Sequence, residues 1–147
     1  MAAIRRAEAV WQGDLMSGSG TVTASTSHAF TGLPVSWAAR TAESGGKTSP
    51  EELVAAAHAS CFCMAFSSDL SKAGTPPQHL QVTADVTFDR VDGKMTVVSS
   101  MLAVRGRVQG IDAAGFQKAA EGAKDGCPIS RALVGNVQLG VTATLDG

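Results

Sequence analysis

The feature that most constrains the fold is one long, weakly polar segment in the middle of the chain. It opens with Ser-Pro-Glu-Glu at 49–52, where Ser49 fits the N-cap, the proline fits the first helical position, and Glu52 completes a capping box. An Ala-rich body continues to about Lys72, and Gly74 is placed to end the helix. A helix of about 23 residues is roughly 35 Å long. Because it carries little polar surface, we expect it to lie at the centre of the structure, covered on most sides.

Segments with strand character flank this helix on both sides. Two further helices are predicted near the C-terminus, from about Asp112 to Lys124 with Asp112 as N-cap, and from Cys127 to about Val134. The predicted strands are 4–12, 18–25, 33–40, 80–89, 95–108 and 137–145, with a turn at Asp92-Gly93 between the fourth and fifth. This order predicts an α+β fold with mostly antiparallel pairing, in a single domain over residues 1–147.

Charge and hydropathy exclude several classes of function. The net charge is −1 and the basic residues are scattered, which predicts no nucleic-acid partner. The first residues have charge but no apolar stretch behind them, so we expect no signal peptide. The longest weakly polar run, Leu53 to Phe66, contains His58 and Ser60 and is short for a membrane span. The sequence therefore predicts a cytoplasmic protein without a membrane segment.

Three cysteines, Cys61, Cys63 and Cys127, are the candidates for chemistry. In a cytoplasmic chain they are free thiols, metal ligands or redox groups rather than a disulfide scaffold. A free thiol is mostly protonated at neutral pH, and a helix N-terminus or a nearby cation lowers its pKa. Cys127 stands at a predicted helix start, whereas Cys61 needs a cation brought to it. The alternative is that these cysteines pack as small hydrophobic residues.

The side chains near Cys61 are predicted to have structural roles. Cys63 is two residues on, about 200° around the helix, and is predicted to pack. His58 lies one turn earlier and is interpreted as a core histidine with satisfied hydrogen bonds rather than a catalytic base. A metal site formed by His58, Cys61 and Cys127 has no Cys-x-x-Cys motif, second histidine or evident fourth ligand, so no metal is predicted.

Glu51 points to an assembly of two chains. The capping box explains Glu52 but leaves Glu51 free to pair with an arginine. Glu51 and Cys61 are ten residues apart on one helix, about 15 Å along its axis. If both serve one site, a second copy of the helix must run antiparallel to the first. That arrangement predicts a two-fold homodimer with two sites at the interface.

Several motifs in the sequence resemble those of a known protein family. Residues 49–66 resemble the central-helix signature of OsmC/Ohr peroxidases, and residues 127–133 resemble their second-cysteine motif. Residues 11–14 and 18–21 resemble the N-terminal strands of the OsmC branch. The Ala-His-Ala-Ser-Cys sequence that ends at Cys61 is closer to OsmC than to Ohr, where a Gly-Tyr pair usually precedes the cysteine.

The resemblance implies an intertwined homodimer, with sheets wrapped around two central helices, and roles for four residues. Cys61 matches the peroxidatic cysteine and Cys127 the resolving one. Glu51 matches the acidic residue ten positions before the reactive cysteine, and Arg40 matches the arginine before the Gly-rich loop. Cys63 is a departure, since a serine or another small residue is common there.

The resemblance also implies the reaction. Such an enzyme reduces organic hydroperoxides, and hydrogen peroxide more weakly, through a Cys61 sulfenic acid and a Cys61–Cys127 disulfide that an external dithiol reduces. No cofactor and no metal is expected. Apolar surface from Phe62, Met64 and Phe66 favours alkyl substrates. Two alternatives remain open: a non-catalytic module that binds a small apolar ligand, and a thiol redox sensor.

Overall fold

The structure is a computed structural model that describes residues 1–147. Four helices and six strands follow one another along the chain. They are β1 (Ala7–Gln12), β2 (Ser19–Ala24), β3 (Leu33–Val35), α1 (Trp37–Thr41), α2 (Pro50–Lys72), β4 (Pro77–Val91), β5 (Lys94–Val108), α3 (Ala113–Gly126), α4 (Pro128–Leu133) and β6 (Gln138–Leu145). The chain forms two compact units, Met1–Leu53 and Val54–Gly147.

The N-terminal unit contains a three-stranded antiparallel meander, β1-β2-β3. The strand predicted over 33–40 is wrong beyond Val35, because Ser36 ends it and caps α1 instead. Ser36 Oγ accepts a hydrogen bond from the Ala39 N–H at 3.2 Å, which satisfies one of the free amides of the first turn. Arg40 therefore lies on a short helix rather than at the end of a strand.

The C-terminal unit contains a second three-stranded sheet, β4-β5-β6. Strands β4 and β5 form a long hairpin that closes at Asp92 and Gly93, both with positive φ (51° and 77°), as in a type I′ turn. Strand β6 runs parallel to β5, since α3 and α4 carry the chain back to the starting end of the sheet. The prediction of mostly antiparallel pairing is confirmed, with this parallel pair as the exception.

Helix α2 has the predicted bounds, N-cap and terminating glycine, but not the second bond of the predicted capping box. Ser49 Oγ accepts a hydrogen bond from the Glu52 N–H at 3.1 Å, and Gly74 follows the helix with φ +86°. The Glu52 carboxylate accepts a hydrogen bond from Thr48 Oγ1 at 2.7 Å, so a threonine hydroxyl occupies the acceptor that the capping box would use. By length and composition alone, α2 would also be long and apolar enough to cross a membrane, a test that core helices of soluble proteins pass too.

A single stripe of α2 is fully buried. His58, Phe62, Phe66 and Leu70 recur every four residues and face the core of the C-terminal unit. There the Phe66 ring lies 5.4 Å from Phe62 and 5.1 Å from Phe116, centroid to centroid. The remaining faces are half-buried or exposed. One chain by itself therefore does not cover the helix on most sides, contrary to the expectation from its composition.

Candidate active site

Two of the four predicted site residues form a thiol pair in the C-terminal unit. Cys61 lies on α2 and is half-buried, whereas Cys127 lies between α3 and α4 and is fully buried. Both are free thiols, and each influences the pKa of the other. The Cys127 N–H donates to the Ala123 carbonyl at 2.8 Å, which holds the residue at the end of α3. The two thiols are thus neighbours in the folded chain.

The surroundings of Cys127 favour its thiolate. Burial raises the pKa of Cys127, but the polar groups near the thiol outweigh it and leave the pKa below its ordinary value. These groups are the backbone N–H groups of Ser130 and Ile129, the Ser130 hydroxyl and the Cys61 thiol. Both backbone groups belong to the first turn of α4, although the Cys127 side chain makes no capping hydrogen bond to that helix.

The surroundings of Cys61 have the opposite effect. Burial raises the pKa of Cys61, and the hydrogen bond and negative charge of Cys127 raise it further, while the Ile129 N–H opposes them. No cation is among the groups that shift this pKa within the chain. Cys61 ionises readily only if a positive charge approaches it, as the sequence predicted.

The other two predicted residues form an ion pair in the N-terminal unit. Arg40 Nε donates to Glu51 Oε1 at 3.0 Å, and Arg40 Nη2 donates to Glu51 Oε2 at 2.8 Å. The Arg40 side chain is 28% exposed and that of Glu51 is 9% exposed. The guanidinium also lies 5.6 Å from the centroid of the Trp37 ring. This two-point contact fixes the plane of the guanidinium, and it gives Glu51 the arginine partner that the sequence called for.

A pocket beside Arg40 was not predicted from the sequence. It has a volume of roughly 300 Å³. Its lining is mostly apolar and consists of Trp11, Leu15, Val35, Ser36, Trp37, Arg40 and Pro50. In the sequence, the only indication of this pocket was the presence of Trp11 and Trp37 on the segments before and after β2. These two residues form no periodic pattern, so the sequence analysis did not bring them together. The apolar surface expected from Phe62 and Phe66 is wrong, because both rings are buried in the core and only Met64 is exposed.

His58 is a core histidine with both ring nitrogens satisfied, as predicted. Nδ1 lies 2.6 Å from Ser100 Oγ and Nε2 lies 2.8 Å from Ser130 Oγ. Burial lowers the pKa of His58, so the ring is neutral at physiological pH. Sequence reasoning did not single out either serine, since Ser100 is 42 residues and Ser130 is 72 residues from His58 along the chain.

Cys63 stands apart from the thiol pair. It is half-buried on α2, and burial raises its pKa. Its predicted packing role stays a prediction. No group of three or more His, Cys, Asp or Glu side chains is arranged to hold a metal ion.

The fold and the thiol pair define a class of protein. A half-buried thiol beside a buried thiol with a lowered pKa is typical of a thiol–disulfide redox centre, since one sulfur can react and the other can condense with it. The site thus has the features of the thiol-based redox class.

Comparison with known proteins identifies the family. Residues 43–142 match the family model described as OsmC-like protein. Peroxiredoxin OsmC of Escherichia coli (strain K12) is 38% identical over 135 residues, which cover 92% of this chain and 93% of that protein. The chain belongs to the OsmC family, and this membership supports a peroxidase activity.

Solved structures agree with the fold. The organic hydroperoxide resistance protein OhrB of Bacillus subtilis superposes with a TM-score of 0.72 at 23% identity, covering 96% of this chain and 98% of that one. An organic hydroperoxide resistance protein OsmC from Legionella pneumophila gives 0.70 at 22% identity, covering 97% and 99%. The predicted family and the α+β, OsmC-like fold class are thus confirmed.

Proposed function

We propose that the protein is a cysteine peroxidase that reduces organic hydroperoxides, and hydrogen peroxide more weakly, with Cys61 as attacking thiol and Cys127 as resolving thiol. The observation that carries the proposal is the pair of neighbouring thiols, one half-buried and the other fully buried. The half-buried sulfur can meet a substrate, whereas the buried one can react only with its neighbour. That difference in access supports the two roles.

The reaction balances with these two thiols and an external dithiol. The Cys61 thiol loses its proton, and the thiolate attacks the terminal peroxide oxygen. The O–O bond breaks, Cys61 becomes a sulfenic acid, and the departing alkoxide takes up that proton and leaves as an alcohol. The Cys127 sulfur then attacks the Cys61 sulfur, the S–O bond breaks, and water leaves as the disulfide forms. An external dithiol reduces the disulfide by exchange and is itself oxidised to a disulfide. No organic cofactor or metal takes part in the proposed cycle.

Arg40 is proposed to stabilise the Cys61 thiolate and polarise the O–O bond, with Glu51 orienting its guanidinium. The support is the two-point contact that holds Arg40, together with the need of Cys61 for a cation. A positive charge beside a thiol lowers its pKa, and each unit corresponds to about 1.4 kcal/mol in favour of the thiolate.

The proposal includes a homodimer in which Arg40 and Glu51 of one chain serve Cys61 of the other. Glu51 and Cys61 are ten residues apart on α2, about 15 Å along the helix axis. Helix α2 is buried along one stripe only, and Met64 on it is 68% exposed. A second α2 packed antiparallel would cover that apolar surface and bring the two kinds of residue together.

The pocket beside Arg40 supports an organic substrate. An apolar cavity of roughly 300 Å³ lies at the small end of the usual range for ligand sites and suits a short alkyl or aryl group. With such a group against Trp11 and Trp37, the hydroperoxide end would point toward the guanidinium. Hydrogen peroxide has no apolar part to bind there, which gives the expected preference.

We place this activity in the cytoplasm, in a single domain over residues 1–147. Three free thiols suit a compartment in which cellular dithiols keep cysteines reduced and are available for recycling. The partners are then a hydroperoxide, a dithiol reductant and a second copy of the chain.

The test is to mix the reduced protein with excess cumene hydroperoxide or hydrogen peroxide, stop the reaction at intervals, and read intact mass and free-thiol count. The expected result is loss of two thiols into a Cys61–Cys127 disulfide, faster with cumene hydroperoxide. The Cys63→Ser variant serves as control and should behave as the parent. Absence of oxidation would refute the proposal and favour the ligand-binding module. A disulfide that forms but supports no repeated turnover with a dithiol would favour the redox sensor.

A further inference from the structure

Both tryptophans of the chain line the pocket beside Arg40. They are Trp11 on β1 and Trp37 on α1, and the sequence contains no other tryptophan and no tyrosine. Every residue of this lining belongs to the N-terminal unit. An apolar pocket needs only bulk from its walls, which leucine or valine would also provide. Two flat aromatic walls next to a cation therefore point to a ligand of a particular shape.

The Trp11 indole lies flat against two glycines of the opposite arm of its hairpin. Trp11 is paired with Gly20 across β1 and β2. A Cβ atom at Gly20 would lie 2.6 Å from Trp11 Cε3, and one at Gly18 would lie 3.0 Å from Cζ2. Because Cε3 and Cζ2 are opposite corners of the six-membered ring, this ring extends over both glycines. A side chain at Gly20 would displace the ring, since carbon atoms in contact prefer a larger separation.

The edge of the Trp11 ring is held as well. Its Nε1–H donates to the Gly13 carbonyl at 3.0 Å. The loop that follows is fixed in turn, because the Asp14 carboxylate accepts hydrogen bonds from the Ser17 N–H and hydroxyl, both at 2.7 Å. Trp11 nevertheless remains 42% exposed. The ring therefore forms its part of the pocket wall in one fixed orientation, and little side-chain freedom is lost when a ligand binds against it.

The second indole lies beside the cation. The Arg40 guanidinium is 5.6 Å from the centroid of the Trp37 ring, and both residues are on α1. Arg40 is also held by its two hydrogen bonds to Glu51. One pocket thus combines two aromatic side chains with a positioned cation that can meet the oxygen atoms of a hydroperoxide.

We propose that Trp11 makes this pocket selective for aryl hydroperoxides, whose ring lies against the indole while the hydroperoxide group points toward Arg40. This inference rests on the proposed function and narrows its substrate class from organic to aryl hydroperoxides. Two aromatic rings in contact attract each other beyond the effect of the apolar area that they bury, which corresponds to about two- to tenfold in affinity. A saturated ring with the same number of carbons buries similar area but has no aromatic face.

The experiment compares two hydroperoxides that differ only in their ring. One is cumene hydroperoxide, and the other is its analogue in which a cyclohexyl ring replaces the phenyl ring. The ratio of their kcat/KM values is measured with a dithiol reductant for the parent and for each variant. Dividing it by the ratio of their rates with a small thiol in solution removes any difference in intrinsic reactivity and gives the corrected aryl preference.

Three variants accompany the parent. Trp11→Leu retains apolar bulk but has no ring, and Trp11→Phe retains a flat ring but has no N–H for the Gly13 carbonyl. The matched control is Val10→Ala. Val10 precedes Trp11 on β1, is 55% exposed and lies on the opposite face of the strand.

For the parent we expect a corrected aryl preference of about two- to tenfold. Trp11→Phe should keep most of this preference, and Val10→Ala should keep all of it. Trp11→Leu should lose it, because kcat/KM falls for cumene hydroperoxide while the value for the cyclohexyl analogue stays near that of the parent.

A binding measurement tests the same pocket without turnover. Cumyl alcohol and its cyclohexyl analogue are the products of the two reactions and have no peroxide bond. Because the two tryptophans of the chain both line this pocket and there is no tyrosine, the intrinsic fluorescence of the protein reports on the pocket directly. We expect the parent to bind cumyl alcohol more tightly than its analogue. Trp11→Leu, in which Trp37 still fluoresces, should bind the two alike.

Two results would overturn the proposal: a parent without the corrected preference, or a preference that persists unchanged in Trp11→Leu. Failure of the proposed function is seen separately, as a parent that reduces neither hydroperoxide. In that case tighter binding of cumyl alcohol would still support an aryl-selective pocket, and equal binding of the two alcohols would overturn it.

Discussion

The ion pair between Arg40 and Glu51 gives the sharpest test of the proposed site, through the Glu51→Gln substitution. Glutamine has nearly the shape of glutamate but carries no charge, and its single carbonyl oxygen can accept only one of the two hydrogen bonds from Arg40. The guanidinium would lose one bond and the charge that assists both. It would remain in place but would be oriented less well toward a thiolate or a peroxide oxygen.

The two hydrogen bonds between Arg40 and Glu51 set the size of the expected loss in free energy. A hydrogen bond to a charged group contributes about 1.5–3 kcal/mol, and two of them are weakened by the substitution. Because the Arg40 side chain is 28% exposed, water replaces part of what is lost, and we reduce the sum to about 2 kcal/mol. If that energy serves to hold the guanidinium in its transition-state position, the rate constant for peroxide reduction falls about thirtyfold.

The assay is steady-state peroxide reduction with a dithiol, comparing kcat/KM for cumene hydroperoxide, together with urea unfolding of each variant. The matched control is Asp146→Asn, which breaks the ion pair with Arg105. Those side chains are 61% and 38% exposed, so we expect a loss of at most about 1 kcal/mol in stability and no change in rate. Values of kcat/KM within threefold of the parent for Glu51→Gln would refute the reasoning and leave the pair a structural feature only.

Three further predictions follow from the same geometry. Cys127→Ser should lower the pKa of Cys61, because it removes the negative charge of Cys127, which raises that pKa. The pH dependence of alkylation by iodoacetamide measures it, and a profile shifted to higher pH would contradict it. Mixed dimers of Cys61→Ser and Glu51→Ala chains should recover part of the activity that each variant lacks alone, whereas complete inactivity of the mixture would argue for sites built within one chain. Phe66→Ala should lower the free energy of unfolding by about 3–5 kcal/mol, since the ring is fully buried against two other phenylalanines. Urea denaturation at one protein concentration measures this loss, and a value below about 1 kcal/mol would contradict the assigned core.

Local signals in the sequence predicted the elements that near neighbours decide. Ser49 and Asp112 cap helices through bonds to residues three positions on, and both caps are present in the structure. The Asp92-Gly93 turn joins adjacent strands by a two-residue loop, and it too is present. In each case the atoms that decide the conformation are within four residues of one another, so composition and spacing carry the information.

Two local predictions were wrong because a nearby group formed a different hydrogen bond from the one expected. Ser36 could continue a strand or cap a helix, and the strand predicted over 33–40 included it. The structure ends β3 at Val35, because the Ser36 hydroxyl satisfies a free amide of α1. Glu52 was assigned to a capping box, yet Thr48 supplies the hydroxyl that its carboxylate accepts.

By itself, then, the sequence determined the helix and strand order, the caps of the long helix, the candidate cysteines and, through its motifs, the family. Tertiary structure decided which distant groups meet: Cys61 with Cys127, His58 with Ser100 and Ser130, and β6 in parallel with β5. Local periodicity in the sequence does not predict these pairs, because they depend on how whole helices and strands pack. The pKa values of the thiols follow partly from the same packing, since burial and the approach of Cys61 to Cys127 shift both pKa values.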